Sequence, residues 1–198
     1  SLDPASGYYQ WHLTGDWGIN ADEVWGDYTG AGVRIAVMDD GFEYINSELI
    51  ANYNTNIDFD TTGANDDDAF ASASNNHGTA VAGIIAADDN GEGMVGVAFD
   101  SELAGIRLDF AGGVTAVIEG FNHALSIDAD VMNNSWGYTA TFSDNPNIPY
   151  GGATFADVEN AMIDLVNLGR GGLGTSIVFS AGNSRGSDQD VNNHMLQN

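Results

Sequence analysis

A chain of 198 residues with 43% apolar residues is long enough to bury one sizeable core, which argues against a disordered or multidomain protein. Its 29 acidic residues stand against four arginines and no lysine, a formal net charge of −25. That balance argues against nucleic acid and anionic membrane surfaces as partners, and it predicts a saline or calcium-containing surrounding. There is no cysteine, so disulfides and thiol chemistry are excluded. No apolar run approaches the roughly 20 residues of a membrane helix. Ser1-Leu2-Asp3-Pro4 has no signal-peptide features, and any export signal or propeptide is expected to have been removed.

In chain order, residues 19–25 read as a short helix capped by Asn20 or Asp16 and stopped by Gly26. Residues 33–38 are almost continuously apolar, as a parallel strand covered on both faces is, and they run into Asp39-Asp40-Gly41. An acidic pair at the carboxyl end of such a strand is placed where open α/β sheets build their sites, though it reads equally as a solvated turn capped by Asp39. Residues 56–59 predict a short second strand. Asn76-His77-Gly78-Thr79 then opens a helix of small and apolar residues, with the imidazole of His77 at its N-terminal end facing a cleft. Such an imidazole suits a general base, although a lone histidine near a helix start is more often structural.

Residues 103–108 predict a strand and 114–126 an amphipathic helix. A strand over 131–135 ends in Ser135-Trp136-Gly137, a helix covers 155–168, and a strand over 176–180 runs into Ala181-Gly182-Asn183. Strand and helix alternate, which predicts a three-layer α/β sandwich, a mostly parallel central sheet with helices on both faces. The stretches 61–76 and 139–152, rich in Asp, Asn, Ser, Pro or Gly, are expected to be the mobile ones.

Two matches are discarded. Gly169-Arg170-Gly171-Gly172-Leu173-Gly174 fits a dinucleotide-binding pattern but leaves a helix and enters a strand, the reverse of what pyrophosphate binding requires. The run from Asp88 to Gly93 begins like an EF-hand loop, yet its twelfth position is Phe99, which supplies no carboxylate.

Asp39-Asp40-Gly41, His77-Gly78-Thr79, Ser135-Trp136-Gly137 and Ser180-Ala181-Gly182-Asn183 occur in that order across nearly the whole chain. This succession resembles the subtilase family of serine peptidases, and the Asp-Asp-Gly and Ser-Trp-Gly forms resemble its kexin and furin branch, as do Asp3-Pro4, Gln10-Trp11-His12-Leu13 and the segment 28–33. The resemblance implies that Asp39 orients His77, that His77 is the general base, and that Asn183 donates to the oxyanion. It implies a peptide-binding edge at Ser135, Trp136 and Gly137; taken alone, Trp136 reads rather as core. It also implies a Ca²⁺ site in the loop after the histidine helix. There Asp88, Asn90, Glu92 and Met94 give backbone carbonyls and the Asn90 side chain, Glu48 gives a carboxylate, and Asp3 gives an N-terminal ligand, with Gln10 as the alternative.

The serine motif of the family is missing. Gly174-Thr175-Ser176 copies its first letters, but Ser176 lies before Asn183 and enters an apolar strand. Residues 1–198 are therefore expected to be the N-terminal two thirds of one subtilisin-like peptidase domain, inert alone, with the nucleophilic serine beyond residue 198 or on a second chain. The partners implied are a polypeptide substrate and the C-terminal part of the same protease; the location implied is extracellular. In the kexin branch, acidic residues after Ser-Trp-Gly and after the oxyanion Asn select basic substrates. Here Tyr138-Thr139-Ala140 replaces the first, and Asp188 and Asp190 are candidates for the second. The alternative is a calcium-dependent peptide-binding module of the same fold without catalysis.

Overall fold

The apolar run that follows Gly32 becomes the middle strand of a five-stranded parallel sheet. In this computed structural model residues 9–63, 67–72, 74–138, 144, 149–150, 153–183, 191, 194 and 196 are described. The strands are β1 (Arg34–Asp39), β2 (Phe59–Asp60), β3 (Glu102–Arg107), β4 (Val131–Asn134), β5 (Pro149–Tyr150), β6 (Ala153–Thr154) and β7 (Ser176–Phe179). The large sheet runs β2-β3-β1-β4-β7, and β5 and β6 form a small antiparallel pair. In register, Arg34 to Asp39 face Glu102 to Arg107, and Ile35 faces Val131.

Side chains of β1 alternate between the two faces, as the pleat dictates. Ile35 and Val37 join Leu49, Ala82 and Ala86 under α1 (His77–Ala86). Ala36 and Met38 join Val114, Val117 and Phe121 of α2 (Gly113–Ser126) and Val158 and Leu165 of α3 (Phe155–Gly172). Helices thus cover both faces, giving the three layers that the alternating pattern predicts. Val37 and Met38 are essentially inaccessible, and burying each is worth about 1.5–3 kcal/mol. α2 approaches β1 closely because Gly120 lacks a side chain; a Cβ there would lie 2.3 Å from Met38 Sδ.

Several boundaries differ from the sequence reading. The segment expected as a helix over 19–25 is a single 3-10 turn, Ala21–Glu23, and Asn20 is left-handed (φ 55°) with no side-chain cap. Its backbone is committed elsewhere: Ile19 N–H donates to His12 O and Ala21 N–H to Leu13 O. The short second strand is displaced to Phe59–Asp60, where it pairs with Ile106 and Arg107. α3 loses helical geometry at Gly169, and Arg170 and Gly171 take left-handed conformations. The glycine-rich stretch is therefore a helix exit. β7 is an edge strand with Val178 half exposed. The stretches expected to be mobile lie partly outside the described residues.

Candidate active site

β1 delivers Asp39 at its last position, and α1 delivers His77 at its first. Asp39 is 1% exposed. Its Oδ1 and Oδ2 lie 2.8 and 3.0 Å from His77 Nδ1, and its Oδ1 also accepts the Asp40 N–H at 2.8 Å. The imidazole is 58% exposed on its side chain, so the edge opposite Asp39 is open. Burial pushes the Asp39 carboxyl above the ordinary carboxylate range, against the hydrogen bond from His77. The same hydrogen bond raises the His77 imidazole. This geometry fixes the Nδ1–H tautomer and leaves Nε2 as the free acceptor.

The approach of α1 to β1 depends on Gly78. A Cβ there would sit 2.5 Å from Gly41 O and 2.9 Å from Asp39 Cβ. A side chain at 78 would wedge His77 away from Asp39.

β4 ends at Asn134, and Ser135-Trp136-Gly137 continues from the same edge of the sheet. The Ser135 hydroxyl accepts from Asn133 Nδ2 at 3.0 Å. The Trp136 ring meets Phe179 edge-on at 5.8 Å and Phe110 and Tyr138 at 6.5 Å. Trp136 is partly buried against the main core, so its ring is structural, and its carbonyl accepts the Ser180 hydroxyl at 3.5 Å. Asn183 lies just past β7 and is exposed, with Ser180 N–H bonded to Asn134 O at 3.0 Å. Asp39, Ser135 and Asn183 thus all lie at the carboxyl ends of parallel strands, the position where α/β sheets bind ligands. Ser176 lies at the other end. Its register with Val131, and of Val131 with Ile35, sets it about 13 Å along the strand direction from the level of Asp39.

The candidate metal loop wraps Glu48. Glu48 O accepts Asp88 N–H at 2.9 Å, and Glu48 Oε2 accepts Met94 N–H at 3.0 Å. A Cβ on Gly93 would lie 2.5 Å from Glu48 Oε1, so the absence of a side chain makes room for the carboxylate. Asn90 Oδ1 accepts Glu92 N–H at 2.9 Å, and Asn90 Nδ2 donates to Ser47 O at 3.4 Å. Gln10 is buried and pairs with Val95 in both directions, at 2.8 and 2.9 Å. Asp3 lies outside the described residues. Among the described residues no three His, Cys, Asp or Glu side chains converge.

The profile of the subtilase family matches residues 30–197. The chain belongs to the subtilase family. It is 38% identical over 186 residues to human neuroendocrine convertase 2, covering 88% of this chain and 27% of that protein. To bovine furin it is 34% identical over 185 residues, covering 88% and 22%. These relatives place it beside the kexin- and furin-like convertases, and the chain spans about a quarter of their length. Among solved structures it resembles a protease from Pseudoalteromonas arctica with a TM-score of 0.66 and 27% identity, covering 92% of this chain and 59% of that one. It also resembles the serine protease of Aeromonas sobria, with a TM-score of 0.62 and 26% identity, covering 78% and 26%.

Three features of this subtilase chain escaped the sequence reading. Asp40 is tied to the start of α1, although Asn76 occupies the obvious capping position. Asp58 is buried and accepts Tyr53 Oη–H at 3.2 Å and Ala69 N–H at 3.3 Å, and burial pushes its carboxyl up to about 6. Asp144 is buried, accepts Leu196 N–H at 3.0 Å and lies 3.7 Å from His194. No local sequence pattern marks these pairings. Thr139, Ala140, Asp188 and Asp190, named for substrate preference, lie outside the described residues.

Proposed function

We propose that this chain is the N-terminal two thirds of a subtilisin-like serine endopeptidase domain, with the nucleophilic serine beyond residue 198 or on a second chain. The observation that carries the reading is the 2.8 Å pair between buried Asp39 and exposed His77, in a chain of that family. His77 Nε2 takes the serine proton during attack on the peptide carbonyl and returns it to the leaving amine. Asp39 holds the tautomer and stabilises the imidazolium. Asn183 donates to the oxyanion, a contribution of about 10²–10³ in turnover; that magnitude comes from a member of the same family. Ser135, Trp136 and Gly137 offer a backbone edge to which an extended polypeptide adds as a strand.

The loop from Asp88 to Met94 with Glu48 suits an oxygen-ligated Ca²⁺. Glu48, the Asn90 side chain and backbone oxygens of Asp88, Glu92 and Met94 would hold it, with Asp3 or Gln10 contributing from the N-terminal side. The ion would brace an acidic loop and take no part in bond breaking. No helix among the described residues is long and apolar enough to cross a membrane. The family and the acidity support an extracellular place of action.

Labelling of the purified material with a fluorophosphonate, read by intact mass under denaturing conditions, tests the proposal. The reagent reacts with a serine activated by a base and an oxyanion hole. Label on a second polypeptide, or on the longer product that contains this chain, supports it. A longer product that folds, carries every motif and stays unlabelled refutes it.

A further inference from the structure

The second acid of the Asp39-Asp40-Gly41 turn takes no proton in that chemistry, yet it is hydrogen-bonded to both Asp39 and His77. α1 begins without a local cap: the Asn76 side chain makes no capping hydrogen bond, and no acidic residue stands in the first turn. Its amides are satisfied from another part of the chain. Asp40 Oδ1 accepts Gly78 N–H at 2.7 Å, and Oδ2 accepts His77 N–H at 3.3 Å. A carboxylate at a helix start is a charge-assisted cap that the helix dipole favours. Asp40 also donates its own N–H to Asp39 Oδ1 at 2.8 Å, and its carbonyl accepts Asn75 Nδ2 at 2.9 Å.

We propose that Asp40 is a positioning residue that locks His77 onto Asp39 by capping α1 from the end of β1. The inference rests on the reading of Asp39 and His77 given above. The two residues of the pair belong to separate elements joined by a long connection, so the imidazole keeps its distance only if α1 is fixed to β1 at this end. Asp40 supplies that tie with both carboxylate oxygens, while its amide holds the acceptor that His77 faces. A displacement of about 1 Å at such a pair is enough to cost about 10² in rate.

The test is NMR of the intact chain, with His77 resonances assigned through His77→Gln. The wild type should show a downfield Nδ1–H signal from His77 and a Gly78 amide that exchanges at least tenfold more slowly than an open one. Asp40→Asn keeps the shape but leaves one oxygen to accept two amides. Asp40→Glu keeps the charge but changes the reach. Both should weaken the downfield signal and speed Gly78 exchange at least tenfold; in the complete protease both should lower kcat while KM stays within about twofold. If Glu restores the wild-type values, charge alone acts and the positioning role is wrong. The role is equally wrong if both variants keep the wild-type signal and exchange rate. If neither variant folds, a wild-type Gly78 amide that exchanges at the open rate still overturns it. The NMR and exchange readouts do not need a serine, so they stand or fall apart from the proteolytic reading.

Discussion

Gly78→Ala should separate close packing at the dyad from ordinary helix propensity. Alanine is favoured over glycine in a helix interior by about 0.8–1 kcal/mol, so on propensity alone the change stabilises α1. The structure opposes it with a Cβ 2.5 Å from Gly41 O, 2.9 Å from Asp39 Cβ and 3.2 Å from Phe42 Cε1. The first is a backbone atom and the second is attached to one, so neither can swing aside. Overpacking of this kind costs typically about 1–3 kcal/mol, occasionally more, and at three tight contacts the upper end applies. The net is a destabilisation of about 1–2 kcal/mol, or a Tm lower by roughly 2–8 °C for a chain of this size. Gly83→Ala is the control in the same helix, because its Cβ meets only the Met94 side chain, at 3.3 Å from Sδ and 3.7 Å from Cε. A thioether gives way, so that variant should be neutral or slightly stabilising. Urea unfolding of both variants decides. Equal tolerance at the two positions would refute the claim that Gly78 sets the approach of His77 to Asp39.

Asp58 makes stability depend on pH. Its carboxyl titrates near 6 in the fold, raised by burial from an ordinary value of 3.8, so the folded state keeps a proton that the unfolded chain has lost. Stability from this group is full below about pH 4 and declines by about 3 kcal/mol at most as pH rises through 6; Asp58→Asn should flatten the slope of wild-type urea midpoints between pH 4 and 7. The His77 imidazole should titrate above 6.5, and Asp39→Asn should lower its midpoint, read from its ring proton shifts. The stability of that pair is present below about pH 6.5 and is lost as pH rises through the folded value. If Ca²⁺ binds the loop around Glu48, a hundredfold excess over its Kd stabilises by about 2.7 kcal/mol. Tm should then rise with Ca²⁺, fall in chelator, and respond to neither in Glu48→Ala; an unchanged wild-type Tm in chelator would contradict the site.

The sheet was legible because each strand is a bounded apolar run and each crossover helix carries its own period. β1 shows it best: its pattern predicts burial on both faces, and both faces are buried. The pairing of Asp39 with His77 was legible only through the order of four motifs, since neither residue has a distinctive neighbour set of its own. The turn at Ala21–Glu23 was misread because pairing with His12 and Leu13 overrides local propensity. The cap by Asp40 was hidden for a related reason: the hydrogen bonds join residues far apart in sequence, while a plausible local cap, Asn76, stands in place. The reading of Trp136 as core is met by its ring, which packs on Phe179 at the edge of the main core.

The most direct measurement of the central claim is peptide hydrolysis by the full-length protein that contains this chain, before and after His77→Ala. A subtilase that uses His77 as base and Asp39 as its orienter hydrolyses the peptide and loses about 10⁴-fold or more in kcat on that change, with KM little altered. Hydrolysis that proceeds at the wild-type rate without the imidazole would contradict the account.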